Sequence, residues 1–197
     1  MKHEERAREL FLSGYNCAQA VAGAFAEECG LTLEEAVRAT AALGGGVGGM
    51  REVCGAVLGM GVALGLKEGS SEPKDRAAKA ALYAHMQALS AKFREENGSI
   101  VCRELLERAK TAATSMPAER DASYYKKRPC AELVACAARL IEENIEKSAD
   151  RVAAFAVCRI KRGKAEGLPS LCIALLSGEA AVPSPNTPRD PRAECLR

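Results

Sequence analysis

A chain of 197 residues is long enough to bury one core of roughly 100–150 residues and carry an appendage. Net charge is +2, Trp is absent and aromatics make up 4% of residues. With positive and negative side chains interspersed, that composition lacks the basic footprint and stacking platform of a nucleic-acid binder, so no nucleic acid is expected. The most apolar run, Val53 to Leu66, has 14 residues, short of the ~20 that a bilayer demands, so no membrane insertion is expected.

The charged start Met1-Lys2-His3-Glu4-Glu5-Arg6 has no apolar region behind it, so no signal peptide is predicted. A short helix follows over about 4–12 and ends near Ser13-Gly14, with His3 in a mobile start. Cys17 to about Glu28 forms the next helix: Asn16 is its N-cap, Val21, Ala24 and Phe25 share a face, and Gly30 stops it. Thr32 caps another helix, with Glu35 completing a capping box. That helix runs to about Leu43, where Gly44-Gly45-Gly46-Val47-Gly48-Gly49 breaks it. Glu52 to Leu66 is apolar on nearly all sides and should be the central helix. Lys67 to Ser71 makes a turn before a long helix from about Pro73 to Glu96. Ala78, Leu82, Met86, Leu89 and Phe93 lie along one of its faces, and Asn97-Gly98 ends it. Ser99 starts a shorter helix to about Lys110, and a polar connection holds Pro117. The last helix runs from Pro129 to about Lys147, with Leu133, Val134, Ala137, Leu140 and Ile141 inward. No run alternates with period 2, so the fold class is all-α, a compact bundle of about six helices with a poorly structured C-terminal tail.

Character changes near residue 150. Five of the eight prolines and a charge of +4 fall in residues 151–197 (eight Lys or Arg against four Asp or Glu). The division is therefore a helical domain over 1–148 and a Pro-rich basic tail over 149–197 that is partly disordered.

Chemistry points to sulfur. Nine cysteines in a chain expected to be cytoplasmic argue for metal or redox chemistry over structural disulfides. Cys17, Cys54, Cys102 and Cys130 each stand within the first residues of a predicted helix. There the positive end of the dipole and the free backbone N–H groups favour a thiolate. Their starts are marked by Asn16, the glycine loop, Ser99 and Pro129. Cys29 lies at a helix C-terminus, Cys136 is about 240° around its helix from Cys130, and Cys158, Cys172 and Cys195 fall in the tail. All five read as structural. His3 and His85 have no ligand pattern, and no C-x-x-C-H for haem occurs. Tyr15 is placed either to hydrogen-bond a sulfur or to pack in the core, and Lys92 to Asn97 reads as a solvated helix end.

The segments Gly14-Tyr15-Asn16-Cys17-Ala18-Gln19-Ala20-Val21, Gly44-Gly45-Gly46-Val47-Gly48, Cys54-Gly55-Ala56-Val57-Leu58-Gly59, Gly98-Ser99-Ile100-Val101-Cys102 and Pro129-Cys130 together resemble the C_GCAxxG_C_C family. That family comprises small, mostly bacterial and archaeal proteins described as redox-active and named for four cysteines and a CGAxxG motif. The resemblance covers roughly residues 4–147 and assigns the four family cysteines to Cys17, Cys54, Cys102 and Cys130. A related domain in split-Soret cytochromes implies an iron–sulfur cluster as one cofactor that these thiolates could hold.

On a helix, Gly55 and Gly59 share a face with Ala56 beside it, which lets a neighbour approach closely; Gly61 and Gly65 repeat the spacing. Gly44, Gly46 and Gly49 satisfy G-x-G-x-x-G, but no strand precedes them and no Walker lysine follows. The loop therefore reads as a flexible connector, or one that moves over the thiols. Two uses of the four cysteines stay open. They could ligate zinc or an iron–sulfur cluster, although separations of 37, 48 and 28 residues carry no metal signature. Or they could act as redox thiols in dithiol–disulfide exchange or electron transfer with a redox partner. The alternative classes are a non-enzymatic metal binder and a helical interaction protein, with homo-oligomerisation compatible with any of them.

Overall fold

A computed structural model describes residues 2–109 and 111–144. The expectations on the tail 149–197, on its three cysteines and on the last turn before Lys147 lie outside the described residues.

Local signals place the helix starts. The side-chain oxygen of Asn16 accepts the N–H groups of Ala18 and Gln19, both at 3.0 Å, and Gln19 in turn accepts the N–H of Asn16 at 2.9 Å. This reciprocal box opens α2 (Cys17–Ala24), and Thr32 with Glu35 makes the same box at α3 (Leu33–Ala39). Between them lies a 3-10 turn, Glu27–Cys29, closed by Gly30 in the left-handed region. The first helix, α1 (His3–Leu12), begins at His3, whose ring stacks on Phe25 with centroids 4.2 Å apart. His3 is thus anchored, not mobile as its position in the sequence implied.

A second 3-10 turn, Ala41–Leu43, leads into the glycine loop, and α4 (Gly55–Glu68) follows. Asp75 caps α5 (Arg76–Asn97), which Gly98 ends. The one-turn α6 (Cys102–Leu105) opens at Cys102 and continues in the 3-10 turn Glu107–Ala109. Ser99 shapes the turn before that helix, its hydroxyl accepting the Val101 N–H at 2.9 Å. A short α7 (Ala122–Lys127) stands where only a polar connection was read, and α8 covers 130–144. Among the described residues there are thus eight α-helices and no strands, and α7 is the one with no counterpart in the sequence reading.

The core sits around α4. It buries Ala56, Val57, Met60, Ala63 and Leu64, packing on α2 and α5, while α2 also packs on α1 and α3. Phe11, Phe25, Leu89, Phe93, Val134, Leu140 and Ile141 complete the cluster. The close approach read from the CGAxxG glycines is present. A Cβ on Gly55 would lie 3.0 Å from the Cβ of Cys17, and one on Gly59 would lie 2.7 Å from the Ala18 carbonyl oxygen. The repeat at Gly61 and Gly65 does nothing similar, since a Cβ on Gly65 would meet no atom within 4 Å. Among the described residues no helix is long and apolar enough to cross a membrane.

Candidate functional site

Three backbone devices bring the cysteines together. The first is an antiparallel bridge between Val53 and Val101. In it the Cys54 N–H donates to the Ile100 carbonyl at 2.8 Å, and the Cys102 N–H to the Glu52 carbonyl at 2.6 Å. Cys54 and Cys102 each neighbour a bridging residue, so alternation puts them on the same side of the paired segments. The second is the Gly55/Gly59 face, which seats Cys17, at the first turn of α2, against the start of α4. The third is the glycine loop. Gly45, Gly46, Val47, Gly48, Gly49 and Arg51 all have positive φ, and the loop is closed by Gly48 N–H to Ala42, Arg51 N–H to Gly45 and Glu52 N–H to Gly46. At Gly46 a side chain is excluded twice over: φ is +69°, and a Cβ would lie 2.7 Å from that of Cys102. These hydrogen bonds fold the loop on itself, and its Gly45 and Gly46 form one wall of the site.

The result is one cavity of about 40 Å³ lined by Cys17, Cys54, Cys102 and Cys130, together with Arg51, Arg120, Tyr124 and Arg128. Cys54, Cys102 and Cys130 are buried, Cys17 is partly exposed, and all four are free thiols. Cys29 and Cys136 lie outside this cavity. The Cys136 sulfur takes a hydrogen bond from the Asn97 side chain at 3.3 Å, next to Glu96, which pairs with Arg139. Part of the stretch read as a solvated helix end is therefore pinned. His85 pairs with Glu68 at 2.8 Å, and Tyr15 packs against the core.

Helix N-termini alone do not settle the ionisation of these thiols. Cys54 is pushed up to about 12, because burial outweighs the backbone N–H groups of Ala56 and Val57 that favour its thiolate. Cys102 is raised by burial against the pull of Arg51. Cys17 is raised well above the ordinary thiol range by its hydrogen bond to Cys130, by burial and by the other three sulfurs. Only Cys130 is lowered. The Cys17 hydrogen bond contributes most, opposed by burial and aided by the charges of Arg128, Arg120 and Arg51. Of the four thiols expected to be favoured as thiolates, one is therefore shifted toward the thiolate and three are shifted away from it.

A consequence for stability follows. The unfolded chain ionises its cysteines from about pH 8.5, whereas Cys54 in the fold stays neutral to about 12. Its contribution is complete below about pH 8.5 and is lost as pH rises toward the folded value. Urea unfolding followed between those limits should show a falling midpoint. Cys54→Ser, which cannot ionise there, should flatten the fall.

The arginines were not legible as site residues. Arg51 is 8% exposed, and its Nε donates to the Ala112 carbonyl at 3.1 Å. One terminal nitrogen of Arg120 donates to the carbonyls of Phe11 and Tyr15, both at 2.9 Å, while its guanidinium lies over the Phe11 ring. Arg128 stacks over Tyr124 with its guanidinium carbon 4.3 Å from the ring centre. The available signal was Asp121, a natural N-cap whose side chain accepts the Tyr124 N–H at 2.7 Å and so starts the helix between two of these arginines.

Comparison with known proteins adds the family. The family model described as "Putative redox-active protein (C_GCAxxG_C_C)" matches residues 15–144, more than half of the 197-residue chain. The chain belongs to this family. All four cavity cysteines and the three arginines fall within the C_GCAxxG_C_C match, whereas α1 begins before it. No curated protein and no solved structure matches the chain.

Proposed function

We propose that this chain is a dithiol–disulfide redox protein in which Cys130 attacks and Cys17 resolves. The supporting observation is where the pair sits: Cys17 and Cys130, from distant helices, line one cavity with Arg51, Arg120 and Arg128, whose charges favour the Cys130 thiolate, while Cys17 is shifted the other way. The Cys130 thiolate attacks one sulfur of a partner's disulfide, forming a mixed disulfide and releasing one partner thiolate. Cys17 then gives its proton to the partner thiolate released in the first step and attacks the Cys130 sulfur. The second partner thiolate leaves, a Cys17–Cys130 disulfide remains, and the partner has gained two electrons. Cys54 and Cys102, both held as thiols, are kept out of the first step.

Ligation is the weaker reading of the same four sulfurs. Among the described residues, no three His, Cys, Asp or Glu side chains are disposed to hold a metal ion. The cavity of about 40 Å³ has room for only a few water-sized groups. Three guanidinium groups also oppose a bare cation. As arranged, the donors do not suit a single bare metal ion.

Mild oxidation by diamide, followed by peptide mapping, tests the proposal. A Cys17–Cys130 disulfide should form first and should still form in the Cys54→Ser/Cys102→Ser variant. Preferential pairing of Cys54 with Cys102 would refute the assignment. Stoichiometric iron and sulfide in protein purified without oxygen would restore the cluster reading.

A further inference from the structure

Arg51, Arg120 and Arg128 line a single small cavity, and among the described residues none of them pairs with a carboxylate. Guanidinium groups stay charged at any accessible pH. Three positive charges with no carboxylate partner thus converge on one site, where Arg51 is 8% exposed, and an anion there would be stabilised. Their orientations are already set: Arg51 is held by Ala112, Arg120 by Phe11 and Tyr15, and Arg128 by stacking on Tyr124. Each guanidinium carries five N–H donors, and these contacts occupy only some of them. A prearranged fork of this kind matches the oxygens of phosphate-like or carboxylate-like anions. The volume of about 40 Å³ suits a group of a few heavy atoms.

We propose that this cavity is a binding site for a small inorganic oxyanion, held by Arg51, Arg120 and Arg128 against the sulfur of Cys130. The anion and the exchange partner compete for the same sulfur, so an occupied site closes the redox pair. This role rests on the proposed function; the binding itself does not.

Inorganic phosphate is the probe. Alkylation of Cys130 by iodoacetamide, followed on the peptide that carries it, should slow in a saturable way as phosphate is added. Sodium chloride at matched ionic strength should not slow it. Arg128→Gln should raise the phosphate concentration for half-protection by about tenfold, as expected for one lost charge-assisted contact. Arg128→Lys, which keeps the charge, should raise it less. Unaltered thermal unfolding of both variants shows that the fold is intact. Equal slowing by chloride, or half-protection unchanged in Arg128→Gln, overturns the site. Cys17→Ser separates the two proposals, since it cannot form the Cys17–Cys130 disulfide and should still show phosphate protection.

Discussion

Limiting iodoacetamide at neutral pH is expected to label Cys130 ahead of every other described cysteine, and Cys130→Ser to remove that fast phase entirely. The reason is ionisation, since the thiolate is the nucleophile. Cys130 is the cavity sulfur whose thiolate is favoured, by the Cys17 hydrogen bond and by the charges of Arg128, Arg120 and Arg51. Cys54 stays protonated to about 12. Because the Cys130 value is lowered, its labelling should persist as pH falls below the ordinary thiol range, while labelling of Cys17, Cys54 and Cys102 should appear only above it. Cys17→Ala deletes the hydrogen bond and should move the Cys130 profile to higher pH. Cys17→Ser, which keeps a donor, should move it less. Rates measured peptide by peptide against pH decide the matter. Cys54 reacting first would show that the dipole at the α4 start outweighs burial.

Gly59→Ala should be among the most destabilising single-methyl changes in the described fold, and Gly65→Ala should stabilise it. Both glycines lie in α4, where alanine favours the helix by roughly 0.5–1 kcal/mol. At Gly65 nothing stands within 4 Å of the added methyl, so that gain is expressed. At Gly59 the methyl would lie 2.7 Å from the Ala18 carbonyl oxygen, 2.9 Å from the Val21 Cβ and 3.1 Å from the Ala18 Cα. Two of these are backbone atoms of α2, so no rotamer change relieves the overlap and the helices must separate. Overpacking of this kind costs about 1–3 kcal/mol, with a backbone clash at the upper end. For a domain of this size the melting temperature should fall on the order of 10 °C. Separation of α2 from α4 also draws Cys17 away from its neighbours, so the same variant should form the Cys17–Cys130 disulfide more slowly. A Gly59→Ala melting temperature equal to that of Gly65→Ala would contradict the packing argument.

Most helix boundaries were legible because they are local. The cap at Asn16, the box at Thr32/Glu35 and the stop at Gly98 depend on a few neighbouring residues, and each is found where the spacing put it. The helix expected from Cys17 to about Glu28 instead ends at Ala24, and Gly30 closes a separate 3-10 turn. The short α7 was not legible, since six residues with two tyrosines and two lysines carry no helical apolar stripe. Its stability comes from contacts distant in sequence, such as the Tyr125 edge against Phe11. Arg51, Arg120 and Arg128 were missed for the same reason: a lone arginine in sequence reads as a solvated charge.

By itself the sequence determined the all-α class, several helix caps, the four cysteines at helix starts and the close approach at Gly55 and Gly59, because caps, glycine spacing and apolar periodicity act over a single turn or two. Only the tertiary structure decided which thiol is shifted toward ionisation. That choice depends on burial and on guanidinium charges brought from residues 51, 120 and 128 to one cavity, and both are sums over the surroundings that no local pattern contains.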